Sequence, residues 1–194
     1  MKNKSLLITV AAIAAVILFL AIPSQRSLVN LDEDVKEKWG EVQNNYQRRS
    51  DLIPSLVNIV KGATEYEKRT LVELTEARSK AGSIEVSEPT AENYEQLTNA
   101  QNNVTNSMNK VIAVVENYPD LKATNQFITL QAQLEGTERR VKIARKDFNE
   151  SVLKYNQKVR QFPASIFAGM FGFKNKEGFR ADAGAEKVPE VSFK

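Results

Sequence analysis

The sequence predicts an all-α protein in which an N-terminal transmembrane helix precedes an elongated antiparallel bundle of three to four long helices. Three observations support this fold class. An uncharged apolar run occupies residues 6–22, apolar residues then recur every three or four positions as far as residue 162, and proline and glycine interrupt this pattern at only a few places. The chain has 194 residues, of which 42% are hydrophobic, so it is long enough for one domain with its own core.

The apolar run at residues 6–22 reads LLITVAAIAAVILFLAI, follows a short flank at residues 1–5, and has only Thr9 as a polar side chain. As a helix it measures roughly 25 Å, close to the thickness of the hydrocarbon core of a bilayer. Pro23 stands where a signal-peptide cleavage site requires a small residue, so a retained anchor is favoured over a cleaved signal. Lys2 and Lys4 are the nearest charges and favour a cytoplasmic N-terminus. The sequence therefore predicts a single-pass protein of the cell (inner) membrane with its bundle outside the cytoplasm.

The first apolar stripe of the bundle runs from Leu31 to Ala81, after an expected link at residues 23–30. Pro54 interrupts this stripe, and two accounts compete: a kink in one helix, or a new helix capped by Asp51. A single straight helix over the stripe would be longer than the helices that follow it. Either the stripe splits near Asp51, or its start extends from the membrane as a stalk.

Two further stripes complete the predicted bundle, which spans residues 31–162. A turn at residues 82–90 precedes the second stripe, which runs from about Ala91 to Asn117, and Thr90 or Ser87 is available to cap it. Pro119 stops that helix, and the third stripe ends at Phe162. Residues 163–194 form a tail that contains glycine and phenylalanine. Its segment SIFAGMFGF, at residues 165–173, is expected to pack over one end of the bundle, in preference to lying at the membrane interface.

Composition argues against most catalytic chemistry. Cysteine and histidine are both absent, which removes the thiolate nucleophile, the commonest general base and the commonest transition-metal ligand. Two Ser-x-x-Lys pairs, at residues 107–110 and 151–154, lack the accompanying motifs of acyl-transfer enzymes and are expected by chance. The sequence therefore predicts a protein that is not an enzyme, with no catalytic, cofactor-binding or metal-binding residue.

The charge balance argues against nucleic acid as a partner. The net charge is +3, but once Lys2 and Lys4 are set aside the chain has 25 basic and 24 acidic residues. Such a balanced surface is not the basic footprint of a phosphate-backbone binder. No nucleic-acid partner is expected.

Two groups of charged residues are the candidate interaction surface. The first group comprises Arg48, Arg49 and Asp51, and the second comprises Arg139, Arg140, Lys142, Arg145 and Lys146. Arg49 is in register with the apolar seam, so a pairing with Asp51 or with a carboxylate of a neighbouring helix is favoured over a ligand site. For the second group, contact with lipid headgroups or an acidic partner competes with a solvated face supported by Glu135–Arg139 and Glu138–Lys142 pairs. The solvated face is favoured.

Several strings, together with the order of the segments, resemble the LemA family of bacterial membrane proteins. They include YQRRSDLIPSLV at residues 46–57, YPDLKA at 118–123, LQAQLEGTE at 130–138, ARKDFN at 144–149 and PEVSF at 189–193. The resemblance implies a single-pass anchor and a bundle of about four helices, which supports a split of the first stripe near Asp51. It implies no established enzymatic activity, cofactor or catalytic residue.

Together these features predict a membrane-anchored helical scaffold or adaptor that acts through protein–protein contacts at the cell envelope. Its expected partners are membrane lipid, through the anchor, and an envelope protein of unknown identity. The alternative is a protein that binds a lipid surface or shapes the membrane. The sequence leaves the oligomeric state open.

Overall fold

A computed structural model describes residues 2–61, 68–84, 86 and 90–180. All regular secondary structure within these residues is helical, which confirms the predicted class. The helices are α1 (Lys2–Lys61), α2 (Lys68–Gly82), α3 (Ala91–Val115), α4 (Pro119–Lys122), α5 (Asn125–Arg160) and α6 (Ala164–Met170). Thr90 caps α3, as expected, and its side chain accepts a hydrogen bond from the backbone N–H of Asn93.

Helix α1 is 60 residues long and continues without a break through both Pro23 and Pro54. The link predicted at residues 23–30 is therefore wrong, because these residues are helical. Of the alternatives that the sequence left open near Pro54, the split near Asp51 does not occur, because α1 runs unbroken to Lys61. An internal proline costs a helix about 3 kcal/mol. Packing outweighs this cost at Pro54, where the apolar phase is unbroken and the flanking residues Ile53 and Leu56 are buried.

The first part of α1 contains one stretch apolar enough to cross a membrane. Only 6% of its most apolar 18 residues are buried inside the protein. Side chains such as Leu7, Phe19 and Ile22 project from the helix without a protein neighbour to cover them. This stretch overlaps the predicted anchor at residues 6–22, which we call the apolar segment.

Helices α1, α2, α3 and α5 form the bundle, and each runs antiparallel to the next. Arg78 of α2 bonds to Ser50 of α1, and Lys110 of α3 bonds to Glu73 of α2. Helix α5 has 36 residues and α2 only 15, which correspond to about 54 and 22 Å. The long α1–α5 pair therefore extends beyond α2 and α3 toward the apolar segment.

Two large groups of buried side chains form most of the core, and a smaller third group surrounds Leu28. The upper group, far from the apolar segment, includes Ile53, Leu56, Leu74, Val111 and Leu134. The lower group is rich in aromatic rings: Tyr94, Phe148 and Phe179 pack with the partly buried Trp39, and their ring centroids lie 5.1 to 6.0 Å from one another. These two large groups thus join all three predicted stripes with Phe179 of the predicted tail.

The chain beyond α5 turns back and covers the lower end of the bundle. Helix α6 packs against α1 and α5 and buries Ala164 and Ala168 around Leu28. Residues 171–180, which we call the strap, then run along α5 away from the apolar segment and end beside the buried Phe179. The segment SIFAGMFGF therefore packs over one end of the bundle, as the sequence predicted. Residues 181–194 of the predicted tail lie outside the described residues.

Candidate functional site

Arg49 is the only buried charged side chain among the residues that the structure describes, with 2% of its surface exposed. Its Nη1 donates to Glu138 Oε2 at 2.6 Å and to the hydroxyl of Thr105 at 2.8 Å. Its Nη2 donates to the side-chain oxygen of Gln101. Of the two pairings that the sequence left open, the structure has the one with a neighbouring helix. Arg49 therefore ties α1 to α3 and α5 in the middle of the bundle.

The other predicted site residues do not join Arg49. Arg48 and Asp51 are exposed, and Asp51 accepts a hydrogen bond from Gln47 at 2.7 Å. Because Glu138 turns inward to Arg49, it does not form the expected pair with Lys142, and Glu135 bonds to Gln131 rather than to Arg139.

The second basic group separates into two parts. Arg145 lies with its guanidinium carbon 4.5 Å from the ring centre of Phe179, a cation–π contact that holds the strap. The remaining four residues are exposed on the outer side of α5, and we call them the basic patch. They are Arg139, Arg140, Lys142 and Lys146.

A crevice of about 320 Å³ opens beside Arg49, between α1, α2 and α3. Its described lining holds two arginines, Arg49 and Arg78, and no carboxylate. Arg78 Nε donates to the carbonyl and hydroxyl of Ser50 at 2.9 and 3.0 Å. The aromatic rings of Trp39 and Tyr46 form part of the wall. The described lining thus offers N–H donors that can hold a group, and it contains no nucleophile paired with a base.

The two Ser-x-x-Lys pairs do not form hydrogen-bonded couples. Lys110 Nζ lies 3.2 Å from Glu73, and the buried Ser151 donates to the carbonyl of Phe148 at 2.8 Å. Within residues 2–61, 68–84, 86 and 90–180 no three histidine, cysteine or acidic residues cluster as metal ligands would. That the chain is not an enzyme stays a prediction.

Two asparagines of α5 hold the strap. The Asn156 side chain donates to the carbonyl of Lys176 at 2.7 Å and accepts from its N–H at 2.8 Å. Asn149 makes the same pair of bonds with Phe179, at 3.0 and 2.9 Å. We call these two pairs of hydrogen bonds the clamps. The seven helical residues from Asn149 to Asn156 and the three extended residues from Lys176 to Phe179 both measure about 10 Å, so each asparagine lies opposite its partner. A Cβ on Gly178 would lie 2.6 Å from Asn149 Oδ1, and glycine therefore permits this close approach.

Ion pairs add to these clamps at the lower end. Asp32 of α1 lies 2.8 Å from Lys176 of the strap and 2.9 Å from Lys36. Burial opposes ionisation of Asp32, but the hydrogen bonds from the two lysines outweigh it and hold the pKa of this carboxyl below its ordinary value of 3.8. Burial, and after it the charge of Asp32, raises the pKa of Tyr155. The Asp32–Lys176 pair therefore joins the strap to α1 throughout the neutral range, and protonation of Asp32 breaks it in acid.

Sequence reasoning missed the strap, with Asn149, Asn156, Gly178 and Phe179. Its signal is weak, because an extended segment held by side-chain amides has no apolar period. The available hint is the seven-residue spacing of two asparagines on one face of the third stripe.

The burial of Tyr94 in the lower core makes the protein less stable at alkaline pH. Burial raises the pKa of Tyr94 to about 12, whereas tyrosine in an unfolded chain titrates near pH 10. The neutral phenol therefore stabilises the fold fully below pH 10, and this contribution is lost as pH rises toward 12. Between pH 9 and 11, we expect the free energy of unfolding to fall by about 1 kcal/mol more in the wild type than in Tyr94→Phe, by chemical denaturation. Equal losses in the two proteins would contradict this assignment.

The chain is similar to one protein family and to several of its relatives. The model of the LemA family matches residues 38–193. Magnetosome proteins MamQ 1 and MamQ 2 of Paramagnetospirillum magneticum are each 23% identical to it, over 88% of this chain and 71% of theirs. Protein LemA of Metamycoplasma hominis is 20% identical over 84% of this chain and 72% of its own. These matches, together with the apolar helix, support a membrane-associated protein of the LemA type. The chain belongs to the LemA family.

Proposed function

We propose that this protein is a membrane-anchored scaffold or adaptor that acts through contacts with other proteins of the envelope. The observation that carries the proposal is the unbroken passage of α1 from the apolar segment into the core of the bundle. A flexible link would let the bundle reorient freely above a membrane, whereas a continuous helix holds its surfaces at a set height. In this proposal residues 6–22 span the inner membrane, with the N-terminus in the cytoplasm.

The basic patch is the surface that we assign to the partner. Within the described part of the chain, Arg139, Arg140 and Lys142 have no carboxylate within ion-pair distance, and Lys146 lies 3.4 Å from Glu150. Ile143 lies among them with 58% of its surface exposed. Exposed cations around an exposed apolar side chain suit an acidic protein surface with an apolar centre.

The position of the basic patch favours a protein partner over lipid. Lys142 precedes Arg160, where α5 ends beside α6, by 18 residues, or about 27 Å of helix. Charges in physiological salt are screened over about 8 Å. Headgroups of the membrane that holds the apolar segment are therefore too distant to attract the basic patch.

A photo-crosslinking residue in place of Ile143, in the full chain in intact cells, tests this proposal. We expect a discrete crosslinked product whose partner, identified by mass spectrometry, is an envelope protein with an acidic surface. Reversing three charges with Arg139→Glu, Arg140→Glu and Lys142→Glu is expected to reduce the product about tenfold or more, which corresponds to a loss of at least about 1.4 kcal/mol of binding.

The matched control places the crosslinker at Ile128, which is 53% exposed on the same helix but outside the basic patch. The proposal predicts little or no product there. Equal products at the two positions, or a product at Ile143 that survives charge reversal, would contradict an interaction through the basic patch.

A further inference from the structure

We infer that the outer face of α6 lies among the lipid headgroups of the bilayer that holds the apolar segment, so that the membrane contacts the chain at two elements. This inference rests on the proposed anchoring. It adds a lipid-binding surface at the lower end of the bundle, distinct from the basic patch.

Helix α6 is apolar on both faces. Its inner face buries Ala164, Phe167 and Ala168 against α1 and α5. Its outer face, together with the preceding turn, presents Phe162, Ile166 and Met170, of which 74%, 56% and 74% are exposed. A helix that is apolar all round belongs in a core or in contact with a membrane. Since the bundle covers only the inner face, the outer face requires another apolar environment.

The height of α6 on α1 identifies that environment as lipid. The buried Leu28, against which α6 packs, lies six residues beyond Ile22, where the apolar segment ends. On a continuous helix six residues measure about 9 Å, and the headgroup layer is roughly 5 to 7 Å thick. Leu28 therefore lies just above the headgroup layer. Because a helix with its side chains has a radius of roughly 5 to 6 Å, α6 packed around Leu28 reaches the headgroups with no change in the shape of the protein.

The charges at this end fit an anionic membrane surface. Residues 23–31 and 151–176 contain no aspartate or glutamate, and the next acidic residue, Asp32, is paired with Lys36 and Lys176. Arg26, Arg160 and Lys174 are exposed in these segments, close along the chain to Leu28 or α6. Basic side chains next to an apolar face are the usual composition of a surface that binds acidic lipids. A protein partner of the same apolar character would have no particular use for this concentration of positive charge.

Site-directed spin labelling of the full chain tests the inference, and because the chain has no cysteine, each label needs only one substitution. A nitroxide is placed at Met170 by Met170→Cys, and the protein is reconstituted in vesicles of phosphatidylcholine and phosphatidylglycerol. Reference labels are placed at Val16 in the apolar segment and at Ile143 on α5, both exposed positions. Power saturation then compares the accessibility of each label to oxygen, which enters lipid, and to a water-soluble nickel chelate.

We expect the ratio of oxygen to nickel accessibility to be highest at Val16, intermediate at Met170 and lowest at Ile143, with a severalfold difference between the last two. If the label at Val16 is in water, the proposed anchoring itself fails. If Val16 is in lipid while Met170 is as accessible to nickel as Ile143, the inference about α6 fails and the anchoring stands. Dipolar broadening between labels at Met170 would show a second copy of the chain on this face, and would likewise overturn the inference.

Discussion

Replacing Arg49 with alanine is expected to lower the free energy of unfolding by about 3 kcal/mol, toward the lower end of the range for breaking a buried ion pair. The change leaves Glu138 without its partner, removes a hydrogen-bond donor from Gln101 and Thr105, and empties the volume of one of the largest fully buried side chains. Glu138 keeps 28% exposure, so water relieves part of its charge and limits the loss. Chemical denaturation of the full chain in detergent, followed by circular dichroism, measures it.

The neighbouring Arg48→Ala is the matched control, because this exposed arginine should change stability by no more than about 0.5 kcal/mol. A double variant, Arg49→Met with Glu138→Leu, is expected to recover most of the stability, because an apolar pair needs no desolvation of charge. The Nε of Arg49 is buried without a hydrogen-bond partner in the described structure, which adds to that expected gain. Equal stabilities of the Arg49→Ala and Arg48→Ala proteins would show that the network does not stabilise the bundle.

Replacing Phe179 with alanine is expected to release the strap and to lower the free energy of unfolding by about 3 kcal/mol. The ring of Phe179 contacts Trp39, Tyr94 and Phe148, and Arg145 lies over it. Detachment of the strap alone limits the loss, because the rest of the bundle keeps its other contacts. Trp39 is the only tryptophan of the chain, so its emission is expected to shift to the red as water reaches it. Limited proteolysis should cut the strap at the same time.

Phe171→Ala provides the control within the strap, since Phe171 is 45% exposed and contributes little to the core. Gly178→Ala tests the same contact by another route, because its Cβ would collide with Asn149 while every aromatic ring remains. This variant is expected to reproduce the proteolysis pattern of Phe179→Ala. An unchanged Trp39 emission and a protected strap in both variants would contradict the role given to these clamps.

The helices of the bundle could be predicted because apolar spacing reports directly on which face of a helix is buried. The ends of α1 could not be predicted. A proline that disrupts an isolated helix is tolerated where the residues before and after the proline pack with the same face of the helix. The partner of Arg49 depended on tertiary register. Glu138 lies 89 positions away in the sequence, and it leaves an exposed pairing worth a few tenths of a kcal/mol to neutralise a charge inside the bundle.

The candidate surfaces divide in the same way. The basic patch was visible in the sequence because charges at helical spacing on an outer face need no tertiary information. The position of the strap could not be predicted, because it depends on a match between two lengths: Asn149 to Asn156 along α5, and Lys176 to Phe179 along the extended chain. Its single deeply buried ring, Phe179, follows a glycine and forms no periodic pattern with other residues.

The continuity of α1 also fixes how the sides of the apolar segment are oriented relative to the sides of the bundle. Each residue of an α-helix turns the chain by about 100° and advances it by 1.5 Å. The number of residues between Ile22 and Leu28 therefore sets the angle between any side of the apolar segment and any side of the bundle. One inserted residue would rotate the basic patch by about 100°, and a seven-residue insertion would restore its direction to within about 20° while raising it by about 10 Å. A neighbouring protein that contacts both the apolar segment and the bundle therefore finds their two contact surfaces at a fixed angle around α1 and a fixed distance along it.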